Sequence, residues 1–180
     1  MSGAGVRVRT ARADDGAVLA EALAFAAAWR PGTTPLPTAE VLADPSLARY
    51  VEGWPRPGDL GFVAVDGHGA PVGAAWWRFL SPEAPGFGFV AADVPELAIG
   101  VRPAWRGRGV GTSLLAALLA AADDHGLARV SLSVEPDNPA RRLYERFGFE
   151  RFDPAVPQGA LTLVRDRHLA GGPRCAGRGR

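Results

Sequence analysis

The segment WRGRGVGTSLLAALL (105–119) constrains this chain more than any other. Gly107, Gly109 and Gly111, with Arg106 and Arg108 between them, run directly into leucines at helical spacing, and the apolar stretch VPELAIGV (94–101) comes just before. The pattern predicts a buried strand, a tight turn and a helix start in succession. A helix N-terminus leaves backbone N–H groups without intrahelical partners and carries partial positive charge. Glycine lets an anion approach that backbone closely, and the arginines add full charges beside it. Such a turn suits a phosphate; the alternative is an ordinary strand-to-helix turn with solvated arginines. Two common nucleotide loops do not fit. A Walker loop needs lysine followed by Ser or Thr after its last glycine, whereas Thr112 follows Gly111 directly and the chain has no lysine. The dinucleotide fingerprint G-x-G-x-x-G is not met by G-R-G-V-G, and no acid follows at a ribose-binding distance.

The rest of the chain supplies the frame. VRVRTA (6–11) alternates like a strand, and Asp14 or Asp15 is placed to cap a helix through AVLAEALAFAAAW (17–29), which Pro31-Gly32 stops. Residues 33–59 are proline-rich, with one short helix expected over 39–52. LGFVAVD and PVGAAWWRFL flank Gly67-His68-Gly69 as a β-hairpin, SPEAPGFGF reads as a loop, and a helix over 110–125 is closed by Gly126. ARVSLSV is a strand, Asn138-Pro139 opens a helix ended by Gly148, and FERF and GALTLVRD read as two last strands. The order β, α, variable region, β, β, β, α, β, α, β, β predicts a mixed α/β sheet with helices on both faces. A single domain over 1–168 and a disordered Gly/Arg-rich tail over 169–180 are expected.

The turn reads Arg-x-x-Gly-x-Gly at Arg106, Gly109 and Gly111, after LAIGV and RPAW; downstream stands EPDNPARRLYERFGFE. These two segments, in this order, resemble the acetyl-CoA signature and the Asn, helix, Leu-Tyr-x-x-x-Gly-Phe pattern of the GNAT superfamily of N-acetyltransferases. The likeness is close over 96–152 and compatible in element order elsewhere. It implies a GNAT-like, mostly antiparallel central sheet with a splayed central strand, and acetyl-CoA as co-substrate. By that resemblance the backbone of Arg106, Gly107, Arg108, Gly109, Val110, Gly111 and Thr112 wraps the pyrophosphate, steadied by the Arg106 side chain. Ile99, Gly100 and Val101, at a bulge expected at Gly100, pair with the pantetheine arm and hold the developing oxyanion. Asn138 caps its helix and touches the cofactor, and Arg141 reaches a phosphate. Tyr144 protonates the departing thiolate, and Glu96, or Glu135 close behind it, takes the amine proton.

The resemblance therefore implies acetyl transfer to a primary amine on a small molecule or peptide, with a homodimer as a further implication. The alternative is a non-catalytic acyl-CoA-binding or sensing module of the same fold. Trp54, Phe87 and Phe89 are candidates for an acceptor pocket, while Trp76 and Trp77, adjacent in a strand, should face opposite sides. A net charge of +1 gives no general case for nucleic acid or a membrane. The sole cysteine, Cys175, excludes an internal disulfide, and with three histidines scattered along the chain no metal site is expected. Neither a signal peptide nor a bilayer-spanning run is apparent, so a cytoplasmic location is expected.

Overall fold

A computed structural model describes residues 5–152 and 159–167. The expected tail over 169–180 lies outside the described residues. The elements are β1 (Arg7–Thr10), α1 (Gly16–Ala27), α2 (Thr38–Ala43), α3 (Pro45–Ala48), β2 (Leu60–Val65), β3 (Pro71–Arg78), β4 (Glu96–Val101), α4 (Val110–Asp124), β5 (Arg129–Val134), α5 (Arg141–Arg146), β6 (Phe149–Arg151) and β7 (Leu161–Asp166). The strands form one seven-stranded sheet in the order β1-β2-β3-β4-β5-β7-β6. Every neighbouring pair is antiparallel except β4 and β5, which run parallel.

Side-chain alternation along the strands divides the core in two. On one face Leu114, Leu115, Leu118, Leu119 and Ala122 of α4 pack on Ala75, Trp77, Leu97 and Leu132. On the other, Leu19, Ala20, Leu23 and Ala24 of α1 pack on Val63, Ala74, Trp76 and Ala98. Trp76 and Trp77 thus serve opposite cores, as adjacent strand residues must. The α1 face is rich in alanine, and that permits an unusually close approach to β4. A Cβ on Gly100 would lie 1.8 Å from the carbonyl oxygen of Ala22.

Three local expectations are corrected. No bulge occurs at Gly100: the β3–β4 register is unbroken from Arg78↔Glu96 to Gly73↔Val101. The glycine is there for the helix crossing above it, a contact that strand sequence cannot announce. The helix expected over 39–52 is two short ones, divided where Pro45 interrupts backbone donation and Asp44 caps the second by accepting from the Ser46 N–H at 2.8 Å. Asp15 does not cap α1 with its side chain. Its carboxylate instead receives Arg9 at 2.6 and 2.9 Å and the Arg12 N–H at 2.6 Å, and it is held below the usual carboxylate range by these donors, Arg9 first. α4 ends as expected: Gly126 adopts φ +71° and the Leu127 N–H returns to the Ala122 carbonyl at 3.0 Å.

Candidate active site

The site begins with a missing ladder. β4 and β5 are in register only at Glu96↔Ser131, where the Ser131 N–H also meets the Pro95 carbonyl at 3.0 Å. Beyond that point the strands diverge, and β4 from Leu97 to Val101 faces a gap where β5 would continue the sheet. The splayed central strand is therefore present, and it arises from lost pairing with β5 rather than from a bulge. Around the gap lies a cleft of about 870 Å³ whose walls include Leu97, Ala98, Ile99, Gly100 and Val101 on one side and Leu132, Ser133 and Val134 on the other.

The glycine turn closes the open end. Gly109 takes φ +81° as N-cap of α4 and offers no capping side chain. The first intrahelical donor is the Ser113 N–H, onto the Gly109 carbonyl at 3.0 Å, so the N–H groups of Val110, Gly111 and Thr112 have no intrahelical partner. Gly107, Gly109, Gly111 and Thr112 line the cleft. The side chains around them have partners of their own. Val110 is buried in the α4-side core, and Arg108 lies over the Trp105 ring at 5.3 Å. The Arg106 guanidinium, expected at the pyrophosphate, donates instead to the carbonyls of Phe25 (2.7 Å), Ala28 (3.3 Å), Trp29 (3.4 Å) and Val101 (3.1 Å). It caps the C-terminus of α1, where a cation is favoured, and burial lowers its pKa. Arg141 is also committed elsewhere, to Glu145 one helical turn on at 2.7 Å.

Glu96 sits at the apex, where β4 and β5 last touch, and is 2 % exposed. Its Oε1 accepts from the Tyr50 hydroxyl at 2.6 Å and from the Gly88 N–H at 2.8 Å, while Oε2 is buried without a partner. Burial pushes the carboxyl above its ordinary range, opposed by the Tyr50 and Gly88 donors. The Tyr50 hydroxyl in turn accepts from the Phe87 N–H at 2.7 Å. The loop over 86–88 can lie this close only as glycine on either side of Phe87. A Cβ on Gly86 would meet Glu96 Oε2 at 2.1 Å, and one on Gly88 would meet the Leu132 backbone at 2.5 Å.

Glu135, the other candidate carboxylate, is at the mouth. Trp29 Nε1 donates to it at 3.1 Å and Arg30 forms a very short contact with its other oxygen, so its pKa is lowered, Arg30 acting first. Tyr144 lines the cleft from α5, is 7 % exposed, and makes an edge contact with Phe149 at 6.0 Å; burial raises its phenol well above the ordinary value. Asn138 also lines the cleft but, against expectation, does not cap α5, whose N-cap is Ala140; its Oδ1 accepts from the Ala140 N–H at 2.9 Å, which orders the turn before the helix and leaves its amide donors free.

Of the aromatics considered for an acceptor pocket, Phe87 lines the cleft. Phe89 packs into the α1-side core, and Trp54 also packs there, donating to the Arg12 carbonyl at 2.9 Å. Sequence reasoning missed Tyr50, Trp29 and Arg30. Nothing in the residues beside Tyr50 marks it, because its partner is forty-six residues away.

A parallel strand pair that splays open, with a helix N-terminus at its wide end and a buried carboxylate at its apex, sets an open cleft into a mixed α/β sheet. The chain belongs to the GNAT family of acetyltransferases, whose family model, described as Acetyltransferase (GNAT) family, matches residues 24–149. It is similar to the mycothiol acetyltransferase of Amycolatopsis mediterranei, 32% identical over 160 residues, covering 86% of this chain and 50% of that protein. The mycothiol acetyltransferase of Arthrobacter sp. is 38% identical over 113 residues, covering 62% of this chain and 33% of the relative. The chain thus spans between a third and a half of the length of these relatives. Among solved structures, SsHAT superposes with a TM-score of 0.66 at 26% identity, over 90% of this chain and 98% of that one. The yncA protein of Salmonella typhimurium, solved with its cofactor acetyl-CoA, gives 0.63 at 22% identity over 89% and 93%. Among the described residues no helix is long and apolar enough to cross a membrane.

Proposed function

We propose that this chain moves acetyl from acetyl-CoA to a primary amine by direct attack while both are bound. The observation that carries the reading is the splay itself. From Glu96 to Val101 the strand spans about 17 Å at roughly 3.3 Å per residue, which suits an extended pantetheine arm between the turn and the apex. The cleft fits such a molecule. The N–H groups of Val110, Gly111 and Thr112 stand at its wide end for phosphate, and β4 offers an unpaired backbone edge to an amide-bearing chain. Acetyl-CoA supplies an activated acyl carbon and a thiolate leaving group. Arg106, on this geometry, shapes the turn from behind by holding α1 to it.

Glu96 is the favoured base. Its carboxyl is desolvated and its pKa is raised, so it holds a proton more readily than an ordinary glutamate does at neutral pH. Glu135 is the poorer candidate because Arg30 and Trp29 stabilise its ionised form. As the amine nitrogen bonds to the acetyl carbon, the carbon–sulfur bond breaks. The amine proton passes to Glu96, directly or through water, and the Tyr144 hydroxyl donates its proton to the sulfur. Tyr144 suits that role because burial keeps it protonated and its hydroxyl makes no hydrogen bond to another described residue. The relatives' name brings mycothiol chemistry into view as one acceptor to assay, although the chain matches only part of those proteins.

The test is calorimetric titration with acetyl-CoA, using dephospho-CoA and ATP as controls, followed by thiol release with an amine panel. Saturable binding selective for acetyl-CoA and amine-dependent thiol release are expected, with Tyr144→Phe lowering turnover and sparing affinity. Folded protein that binds no acetyl-CoA overturns the reading.

A further inference from the structure

Resting on the acetyl-transfer reading, we propose that the acceptor half of the cleft takes a primary amine carried on an apolar, uncharged body of about the size of one aromatic ring. The wall on the α1 face beside Glu96 is built from Leu23, Leu47, Tyr50 and Phe87. Tyr50 and Phe87 stack with centroids 6.1 Å apart and planes within 14°, and Phe87 keeps 59% of its surface exposed. An exposed phenylalanine at the lip of a cleft, fixed through its own N–H to Tyr50, is a platform for an apolar face.

The polar groups on this wall are already occupied with each other. The Tyr50 hydroxyl and the Gly88 N–H serve Glu96, the Phe87 N–H serves Tyr50, and the Trp29 indole N–H serves Glu135. Ser133 lines the cleft opposite. A polyhydroxylated amine would bury hydroxyls with no partners, a penalty that discriminates strongly.

Charge points the same way. A carboxylate or phosphate on the acceptor needs a free guanidinium, and the arginines beside this wall have donors engaged with other groups. Arg30 is held by Glu135 and Asp137, Arg49 donates to the carbonyls of Pro45 and Pro85, and Arg106 caps α1. Arg146, with no side-chain partner among the described residues, reaches the cleft from α5, whose Leu143 and Tyr144 belong to the opposite core. Among the described residues of this wall, the buried, unpartnered Oε2 of Glu96 is the acceptor left for the amine end, directly or through water.

The experiment compares thiol release at saturating acetyl-CoA for 2-phenylethylamine, for phenylalanine, which adds only a carboxylate, and for glucosamine. Phenylethylamine should lead by at least about 100-fold in kcat/KM, given what unpaired buried polar groups do to discrimination. Phe87→Ala, which alters an exposed side chain and should leave the Tm in place, should lower kcat/KM for phenylethylamine about tenfold through KM, the scale of one lost aromatic contact. The KM for acetyl-CoA should not move. Equal or better turnover of phenylalanine or glucosamine overturns the proposal, as does an unchanged KM in Phe87→Ala. No thiol release from phenylethylamine by protein that binds acetyl-CoA overturns it too, whereas absent acetyl-CoA binding removes the transfer reading beneath it.

Discussion

Replacing Gly100 by alanine puts the close crossing of α1 over β4 to a quantitative test. The added methyl would lie 1.8 Å from the Ala22 carbonyl oxygen and 2.6 Å from its carbon, both backbone atoms that no rotamer change can move. Reaching a normal separation near 3.5 Å requires α1 to retreat by roughly 1.7 Å. The helix resists at both ends. Asp15 is tied to Arg9 and Arg12 before its first turn, and Arg106 grips its last carbonyls. Overpacking of this kind costs about 1–3 kcal/mol, and a backbone clash belongs at the upper end. At about 2–4 °C per kcal/mol for a chain of this size, Tm should fall by roughly 6–12 °C. Thermal unfolding followed by circular dichroism measures it. Gly111→Ala is the internal control, since its Cβ would make only ordinary contacts with Leu143 at 3.6 Å and Val101 at 3.8 Å. That variant should keep its Tm while losing acetyl-CoA affinity, because the methyl faces the cleft. A Gly100→Ala protein melting within about 2 °C of the parent would refute the close-approach account and leave Gly100 an idle strand position.

Three further outcomes are expected. Asp59→Asn leaves Arg78, which is 0% exposed at its side chain, without its ion pair, and uncompensated buried charge of this kind costs about 3–5 kcal/mol; a Tm unchanged in a thermal melt would contradict it. Arg106→Met should lower the Tm of protein free of acetyl-CoA by several degrees through the lost cap on α1, whereas a purely phosphate-binding arginine would leave that melt alone. Tyr50→Phe removes a donor that opposes the raised pKa of Glu96, so the rise of kcat with pH, as the base ionises, should move to higher pH. A pH–rate profile superimposable on the parent's would exclude Glu96 as the titrating base.

Much of the architecture was legible because it is written in local patterns. Strand and helix periods, the glycines at 109, 126 and 148, and the prolines at 31 and 139 set the element order without help from distant residues. The run 94–119 likewise announced a strand, an anion-ready turn and a helix, since N–H groups at a helix start and the freedom of glycine are properties of the neighbouring backbone. Side-chain destinations were a different matter. Whether Arg106 meets a phosphate or the end of α1 depends on a helix some eighty residues earlier. Whether Glu96 or Glu135 is the better base depends on Tyr50 and Arg30, which come to them only when the chain closes on itself. Gly100 looked like a bulge because a strand glycine often is one, and α1 alone reveals the other reason. Sequence by itself determined the order of elements and the phosphate-ready turn, because backbone geometry is set within a few residues. The tertiary structure decided which carboxylate is desolvated, which arginine is free and what lines the acceptor wall, because burial and pairing are properties of residues brought together from far apart.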